Sequence, residues 1–247
     1  MDIMDIGDIK FLRLQGGRAL NSQQKFVSLQ PKMKMITKTI TKTITKTITK
    51  TVLLVLAMLM IAEMAGAREG FAVKEIPDEV MQRMQRGGSY PKGCPVKRSQ
   101  LRYLTLRHWN MQGEEKEGEL VCNAQIADDL LAIFEELYDA HYPIHSVRLI
   151  DDFGADDNAS VAANNTSSFC YRTVAGTKTL SHHARGMAID INPKDNPLVR
   201  PARKGGPIPK VAHTITESDI CYKAFRKRGF TWGGHWRTLK DYQHFQR

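Results

Sequence analysis

SHHARGMAIDIN, residues 181–192, joins a polar loop that contains histidines to a short apolar strand. Residues 186–192 are typical of a strand, and His183 precedes them in the loop. Side chains alternate along a strand, so Asp190 is expected to face away from Ile189 and Ile191. A carboxylate beside buried isoleucines is costly unless it is paired or bound to a metal ion. Taken alone, this segment favours a metal site and leaves a structural Asp–His pair as the alternative.

The segment DYQHF, residues 241–245, adds a second histidine and another acid. His183, Asp190 and His244 together offer two imidazoles and one carboxylate, which leaves the fourth position of a tetrahedral zinc ion open for water. Asp241 is then the candidate general base, because such a base is normally not itself a ligand. The two segments together favour a catalytic zinc site.

These motifs resemble a known family. The pattern S-x-H-x-x-G-x-A-x-D at 181–190, with D-x-x-H at 241–244, is similar to the zinc D-Ala-D-Ala carboxypeptidase and L-alanyl-D-glutamate endopeptidase family, whose fold is shared with the hedgehog signalling domain. Other segments look like blocks of that family in the same order, namely NTSSFCYR (165–172), AIDINPKDNP (188–197) and GFTWGGHWRTLKDYQHF (229–245). The resemblance covers residues 90–247.

The resemblance implies a role for each site residue. It implies that zinc is bound by His183, Asp190 and His244, and that Asp241 is the general base. Arg172, in the F-x-Y-R block, matches an arginine that contacts the substrate, and a guanidinium suits this role because it can clamp a carboxylate or a polarised carbonyl. A surface ion pair is the alternative for Arg172.

Ser181 is predicted to be a substrate-binding residue. Its hydroxyl is expected to form a hydrogen bond within the motif. No Ser-His-Asp triad order surrounds it, so it is not expected to act as a nucleophile. His182 is expected to point away from the ligands. The role of His235 is left open, and Trp232 and Trp236 either wall the site or pack in the core.

Residues 1–67 are predicted to be a signal peptide with an extended low-complexity N-terminus, in which residues 33–67 have the three-part order of a secretory signal peptide. A basic segment that contains the repeated I-T-K-T unit (36–51) precedes an apolar run of 11 residues (52–62) and an A-x-A site that ends at Ala67. The apolar run is shorter than the roughly 20 residues of a membrane span. We therefore expect an exported protein of the periplasm, the cell wall or the extracellular space, with an uncleaved membrane anchor as the alternative.

Residues 68–247 are predicted to form a single domain of the α+β class. Helices and strands are mixed without a βαβ rhythm, which favours an antiparallel sheet with flanking helices, in a hedgehog/DD-peptidase-like arrangement. The predicted helices are 77–86, 124–141 and 217–228. The predicted strands are 101–109, 119–123, 146–153, 169–174 and 186–192, with a turn at 113–118 and a loop at 193–210.

The net charge and the cysteine spacing argue against two kinds of function, nucleic-acid binding and zinc binding by cysteines. The chain carries a net charge of +10, of which residues 1–67, with ten basic and four acidic residues, account for +6. Residues 68–247 therefore carry only +4, which is weak evidence for a nucleic-acid partner. A mildly basic surface would also suit an anionic polymer such as a cell wall. The four cysteines form no C-x-x-C pair, which argues against Cys-ligated zinc. Two disulfides and free buried thiols both remain open.

The sequence therefore predicts a zinc-dependent peptidase, acting as a monomer with one catalytic ion. Its substrate would be an amide bond in the stem peptide of bacterial peptidoglycan, cut in the manner of an L-Ala-D-Glu endopeptidase or a D-Ala-D-Ala carboxypeptidase. No nucleic-acid partner is expected, and contact with a membrane is expected only transiently, through the signal peptide. The alternative is a non-catalytic, zinc-containing module that binds the cell wall. Asp241 argues against that alternative, because a structural metal site has no need of a base.

Overall fold

The computed structural model describes residues 22–65, 68–174 and 176–247. The chain divides into two units, Met1–Gly66 and Ala67–Arg247, which are taken one at a time below. In the first unit, helix α1 spans Ser22–Ala65 and includes the I-T-K-T repeat. Among the described residues, no helix is both long and apolar enough to cross a membrane. Gly66 and Ala67 of the predicted cleavage site lie outside the described residues.

The second unit begins with an antiparallel sheet in the order β1-β2-β3. Its strands are β1 (Ala72–Lys74), β2 (Leu101–Trp109) and β3 (Glu115–Asn123). The predicted β2–β3 hairpin is confirmed, but β3 begins four residues earlier than predicted. The turn is shorter than expected because the Asn110 side chain accepts hydrogen bonds from the backbone N–H groups of Gln112 and Glu114.

The described residues of this unit form four α-helices: α2 (Asp78–Gly87), α3 (Ala127–Asp139), α4 (Asp157–Ala162) and α5 (Ile220–Lys227). The prediction for α2 is confirmed to within one residue. Helix α3 starts later than predicted, because Asn123 accepts the backbone N–H of Gln125 in a turn that precedes the helix. Helix α5 also starts late, since Asp219 caps it through the N–H of Cys221.

The remaining strands are short. Strands β6 (Ala188–Asp190), β10 (His244–Gln246) and β8 (Thr231–Trp232) form an antiparallel sheet in the order β6-β10-β8. Strand β7 (Leu198–Val199) pairs with β9 (Lys240–Asp241), so the predicted loop 193–210 contains a strand. Strand β4 (Ser146–Val147) pairs in parallel with β5 (Asn165–Thr166).

Two strand predictions are largely wrong. Residues 150–153, predicted as strand, form a 3-10 helix. There the carboxylate of Asp151 accepts hydrogen bonds from the backbone N–H and the hydroxyl of Ser89, which favours a turn. Residues 169–174 make single backbone hydrogen bonds with different partners instead of a ladder, for example from the N–H of Phe169 to the carbonyl of Val121.

The main core lies where α3 and α5 meet the inner faces of the two three-stranded sheets. Helix α3 contributes its predicted apolar face, the second sheet contributes Ile189 and Phe245, and Ile191 follows β6 directly; all three are fully buried. The α+β class with mainly antiparallel sheets is therefore confirmed. The four cysteines are free, and three of them are buried, which agrees with the free-thiol alternative.

Gly186 joins the His183 turn to the hairpin. Its φ is +68°, and its carbonyl accepts the N–H of Asn123 at 2.9 Å. A Cβ at this position would lie 2.6 Å from the Asn123 nitrogen, too close for any side chain. Glycine therefore permits both the left-handed backbone and the close approach.

We predict that Gly186→Ala lowers the free energy of unfolding by about 2–4 kcal/mol, because backbone strain and a steric clash add together. Gly113→Ala is the matched control. Gly113 has a similar φ of +73°, but nothing lies within 4 Å of its added Cβ, so we expect a loss of only about 1 kcal/mol. Urea unfolding measures both variants. Equal losses would show that the contact with Asn123 does not matter.

Candidate metal centre

Three side chains from separate elements converge at one end of the second sheet. His183 begins a 3-10 helix (His183–Arg185), Asp190 ends β6 and His244 begins β10. The pairing of β6 with β10 places His244 directly opposite Asp190. All three residues are buried, and one ligand atom from each lies within 4.8 Å of the others.

The distances between these side chains are short. His183 Nε2 lies 3.2 Å from Asp190 Oδ2, and His244 Nδ1 lies 2.9 Å from Asp190 Oδ1. The two imidazole nitrogens, His183 Nε2 and His244 Nδ1, are 3.2 Å apart. Two nitrogens and a carboxylate oxygen at these separations can turn toward a common centre, as the ligands of zinc do.

Each histidine is held by a hydrogen bond on the far side of its ring. The Nδ1 of His183 donates to the carbonyl of Ser168 at 2.6 Å, and the Nε2 of His244 donates to Oε1 of Gln246 at 2.8 Å. These bonds place the ring protons outward and leave the inward nitrogens as lone-pair donors. Such outer contacts fix the tautomer and orientation of metal-binding histidines. The donor set therefore fits a metal cation.

The electrostatics agree with this assignment. Burial, the largest effect, would raise the pKa of Asp190, but the charges and hydrogen bonds of His183 and His244 outweigh it and hold that pKa below its usual range. Asp190 is therefore ionised, as a carboxylate that binds a metal ion must be. For His244, burial lowers the pKa, whereas the hydrogen bond and charge of Asp190 raise it, and the net shift is upward.

Asp241 lies on β9 beside this cluster and is buried. Burial first, and the charge of Asp190 second, raise the pKa of Asp241 to about 7. Within the described part of the chain, its Oδ1 is buried without a hydrogen-bond partner. Gly233 packs closely on this residue, since a Cβ there would lie 2.5 Å from the Asp241 carbonyl oxygen. A buried carboxylate with an unused oxygen is suited to exchange a proton with a group in the cavity.

Arg172 and Ser181 line the same cavity. Arg172 donates to Asp157 at 2.9 Å, so it does form the ion pair that was the alternative to substrate contact. The pair lies at the cavity wall, and the buried Nε of Arg172 has no partner among the described residues. Ser181 accepts the backbone N–H of His183 at 3.2 Å. Its hydroxyl therefore bonds within the motif, as the sequence predicted.

The cavity has a volume of about 340 Å³, enough for a few amino-acid residues of a peptide. His182 borders it without joining the ligand cluster. Trp236 also borders it, with its ring centroid 5.2 Å from that of His244. Trp232 is instead a core residue. His235 lies apart from the cavity and pairs with Glu217 at 3.0 Å.

Several cavity residues were not foreseen from the sequence. Gln246 lies two residues after His244 on β10, so the alternation of side chains could have placed it on the ligand face. Leu198 and Arg200 come from the predicted loop and border the cavity because β7 pairs with β9. The Ser168 carbonyl left no signal in the sequence, since any residue type supplies one.

Comparison with known proteins agrees with this geometry. Residues 175–247 match the model of a protein family described as D-alanyl-D-alanine carboxypeptidase. That range includes His183, Asp190, Asp241 and His244. Neither the search of curated proteins nor the search of solved structures gave a significant match. The match supports the family predicted from the motifs, and residues 175–247 are similar to the D-alanyl-D-alanine carboxypeptidase family of peptidases.

Proposed function

We propose that this protein is an exported zinc peptidase that hydrolyses an amide bond in the stem peptide of bacterial peptidoglycan. The family match supports a peptidase that acts on peptidoglycan-related substrates. One observation supports catalysis in particular. Asp241, a buried carboxylate with an unpartnered oxygen among the described residues, lines the same cavity as the three candidate metal ligands.

His183, Asp190 and His244 would hold the ion through Nε2, a carboxylate oxygen and Nδ1. When bound, zinc supplies a Lewis acid that polarises the scissile carbonyl and acidifies water. Asp241 takes one proton from the attacking water as its oxygen bonds to the carbonyl carbon. The same carboxyl then returns this proton to the leaving amine as the C–N bond breaks.

Arg172 is the second charged group with a role. Its guanidinium can hold the carbonyl oxygen, where negative charge develops, or a carboxylate of the substrate. Asp157 keeps the side chain in place through their ion pair. Either contact orients the peptide over Asp241. Arg172 would suit a carboxypeptidase and an endopeptidase equally. The bond that is cut is therefore identified from the reaction products.

The second candidate is a metal-containing module that binds the cell wall without cleaving it. The three ligands alone fit this function as well as catalysis. Asp241 favours the enzyme, because burying an acid with an unpaired oxygen is costly and brings a structural site no benefit.

Export of the protein is supported by the order of the first 67 residues. The division of the chain between Gly66 and Ala67 lies one residue before the predicted cleavage site, so cleavage after Ala67 would release the second unit from Arg68 onward. We expect the exported form to begin at Arg68, which its intact mass would show. A secreted protein that retains residues 33–67 would instead support an uncleaved anchor.

We predict that His183→Ala abolishes stoichiometric metal binding, because it removes one of three protein ligands. Elemental analysis of the purified protein should find about one zinc ion per wild-type chain and less than about a tenth of that in the variant. His182→Ala is the matched control, since His182 borders the same cavity without belonging to the cluster. Equal loss of zinc from both variants would contradict the ligand assignment.

Asp241→Asn is expected to retain zinc and to lose turnover by about 10²–10⁴-fold, because the amide keeps the shape of the carboxylate but cannot accept the proton. The measurement is mass analysis of the fragments released from purified peptidoglycan. Peptides with a new C-terminal L-Ala would identify an endopeptidase, and free D-Ala would identify a carboxypeptidase. If the zinc-loaded wild-type protein released nothing while still binding peptidoglycan, the binding module would be the correct function.

A further inference from the structure

Over residues 34–52, helix α1 carries its lysines on one side, called the basic half below, and its aliphatic residues on the other, called the apolar half, with threonines interspersed on both. Five lysines recur every four residues, at Lys34, Lys38, Lys42, Lys46 and Lys50. Each step of four residues advances about 40° around a helix, so these lysines spread over an arc of about 160°. A second series, Ile36, Ile40, Ile44, Ile48 and Val52, starts two residues later and occupies the opposite arc of the same width.

Both halves are available for contact. Each of the four isoleucines is 52–57% exposed. The threonines between them are locally satisfied, since hydroxyls such as those of Thr37 and Thr47 donate to the carbonyl four residues earlier. Satisfied hydroxyls lower the cost of moving this surface out of water. No acidic residue occurs between Ser22 and Ala62, so no acid offsets the lysines in this part of the helix.

We propose that residues 34–52 of α1 bind the surface of an anionic lipid membrane, lying parallel to it. The apolar half would enter the boundary between headgroups and acyl chains, and the lysines would extend to the lipid phosphates. This is an interfacial contact, distinct from the passage of an apolar segment through the bilayer. It applies to the uncleaved chain and is independent of the proposed peptidase activity.

The distribution of side chains favours a membrane over other occupants. A nucleic acid would engage the lysines but leave the isoleucines in water. A second copy of the helix would bury a narrow seam, whereas this apolar face is half the circumference wide. A planar interface takes up such a face as a whole, and anionic headgroups complement the lysines.

The test uses the uncleaved full-length chain and vesicles of phosphatidylcholine with or without phosphatidylglycerol. We expect binding to be strongest with phosphatidylglycerol and to weaken as salt is added. Combined replacement Lys38→Gln, Lys42→Gln and Lys46→Gln should weaken binding by about a hundredfold, at about fivefold per lysine. The same positions changed to Arg are the matched control and should leave binding unchanged, because the charge is kept.

A second variant tests the apolar half. Ile40→Thr with Ile44→Thr keeps the β-branched shape and all the charges, and should also weaken binding to the anionic vesicles. Undiminished binding by this variant would reduce the contact to electrostatics alone and overturn the interfacial placement. Equal binding to neutral and anionic vesicles, tighter binding to RNA than to vesicles, or a lipid-free dimer that the isoleucine changes dissociate would each overturn the proposal.

Discussion

The pairing of β6 with β10 is the constraint on which the site depends. These two short strands come from positions 54 residues apart in the chain, and their register sets His244 opposite Asp190. A slip of either strand by one residue would turn that strand's own side chain, Asp190 or His244, to the other face of the sheet. The register is held by the neighbouring residues: Ile189 and Phe245 are fully buried and face each other across the same pair of strands. The hydrophobic core therefore determines the geometry of the ligands.

The third ligand is tied to the same sheet by an irregular segment. The backbone of Ser167 bridges to Asp190, the N–H of Phe169 reaches β3, and the N–H of Cys170 donates to the carbonyl of His183. Together these bonds bring the Ser168 carbonyl to the His183 ring. A regular strand could not serve three partners in four residues, since its hydrogen bonds go to one or two neighbours. The irregularity here holds the 3-10 turn of His183 against both sheets.

The sequence predicted the elements with strong local signals and missed those set by distant contacts. The periodic helices, the β2 strand and the α+β class could be predicted because their apolar patterns are long. Strands of two or three residues, such as β7 and β9, carry too little pattern to be recognised, and β7 was predicted as loop. The ligand residues could be proposed because their types and spacing are chemically specific. Leu198 and Arg200 could not, since only the pairing of β7 with β9 brings them to the cavity.

The outer contacts of the two histidines explain why the cluster suits a metal ion better than a structural Asp–His pair. A structural pair needs a proton on the histidine nitrogen that faces the carboxylate. Here the Ser168 carbonyl can only accept, so the proton of a neutral His183 lies on the outer nitrogen, and Gln246 holds the proton of His244 outward in the same way. Two lone pairs and an ionised Asp190 then face one another at about 3 Å, which is repulsive unless a cation lies between them. Without a metal ion, protonation of one imidazole relieves the repulsion, because its inward N–H then donates to Asp190, and the raised pKa of His244 reflects that state. A bound metal ion satisfies all three ligands at once, and the open side of the cluster faces the cavity that Asp241 and Arg172 also line.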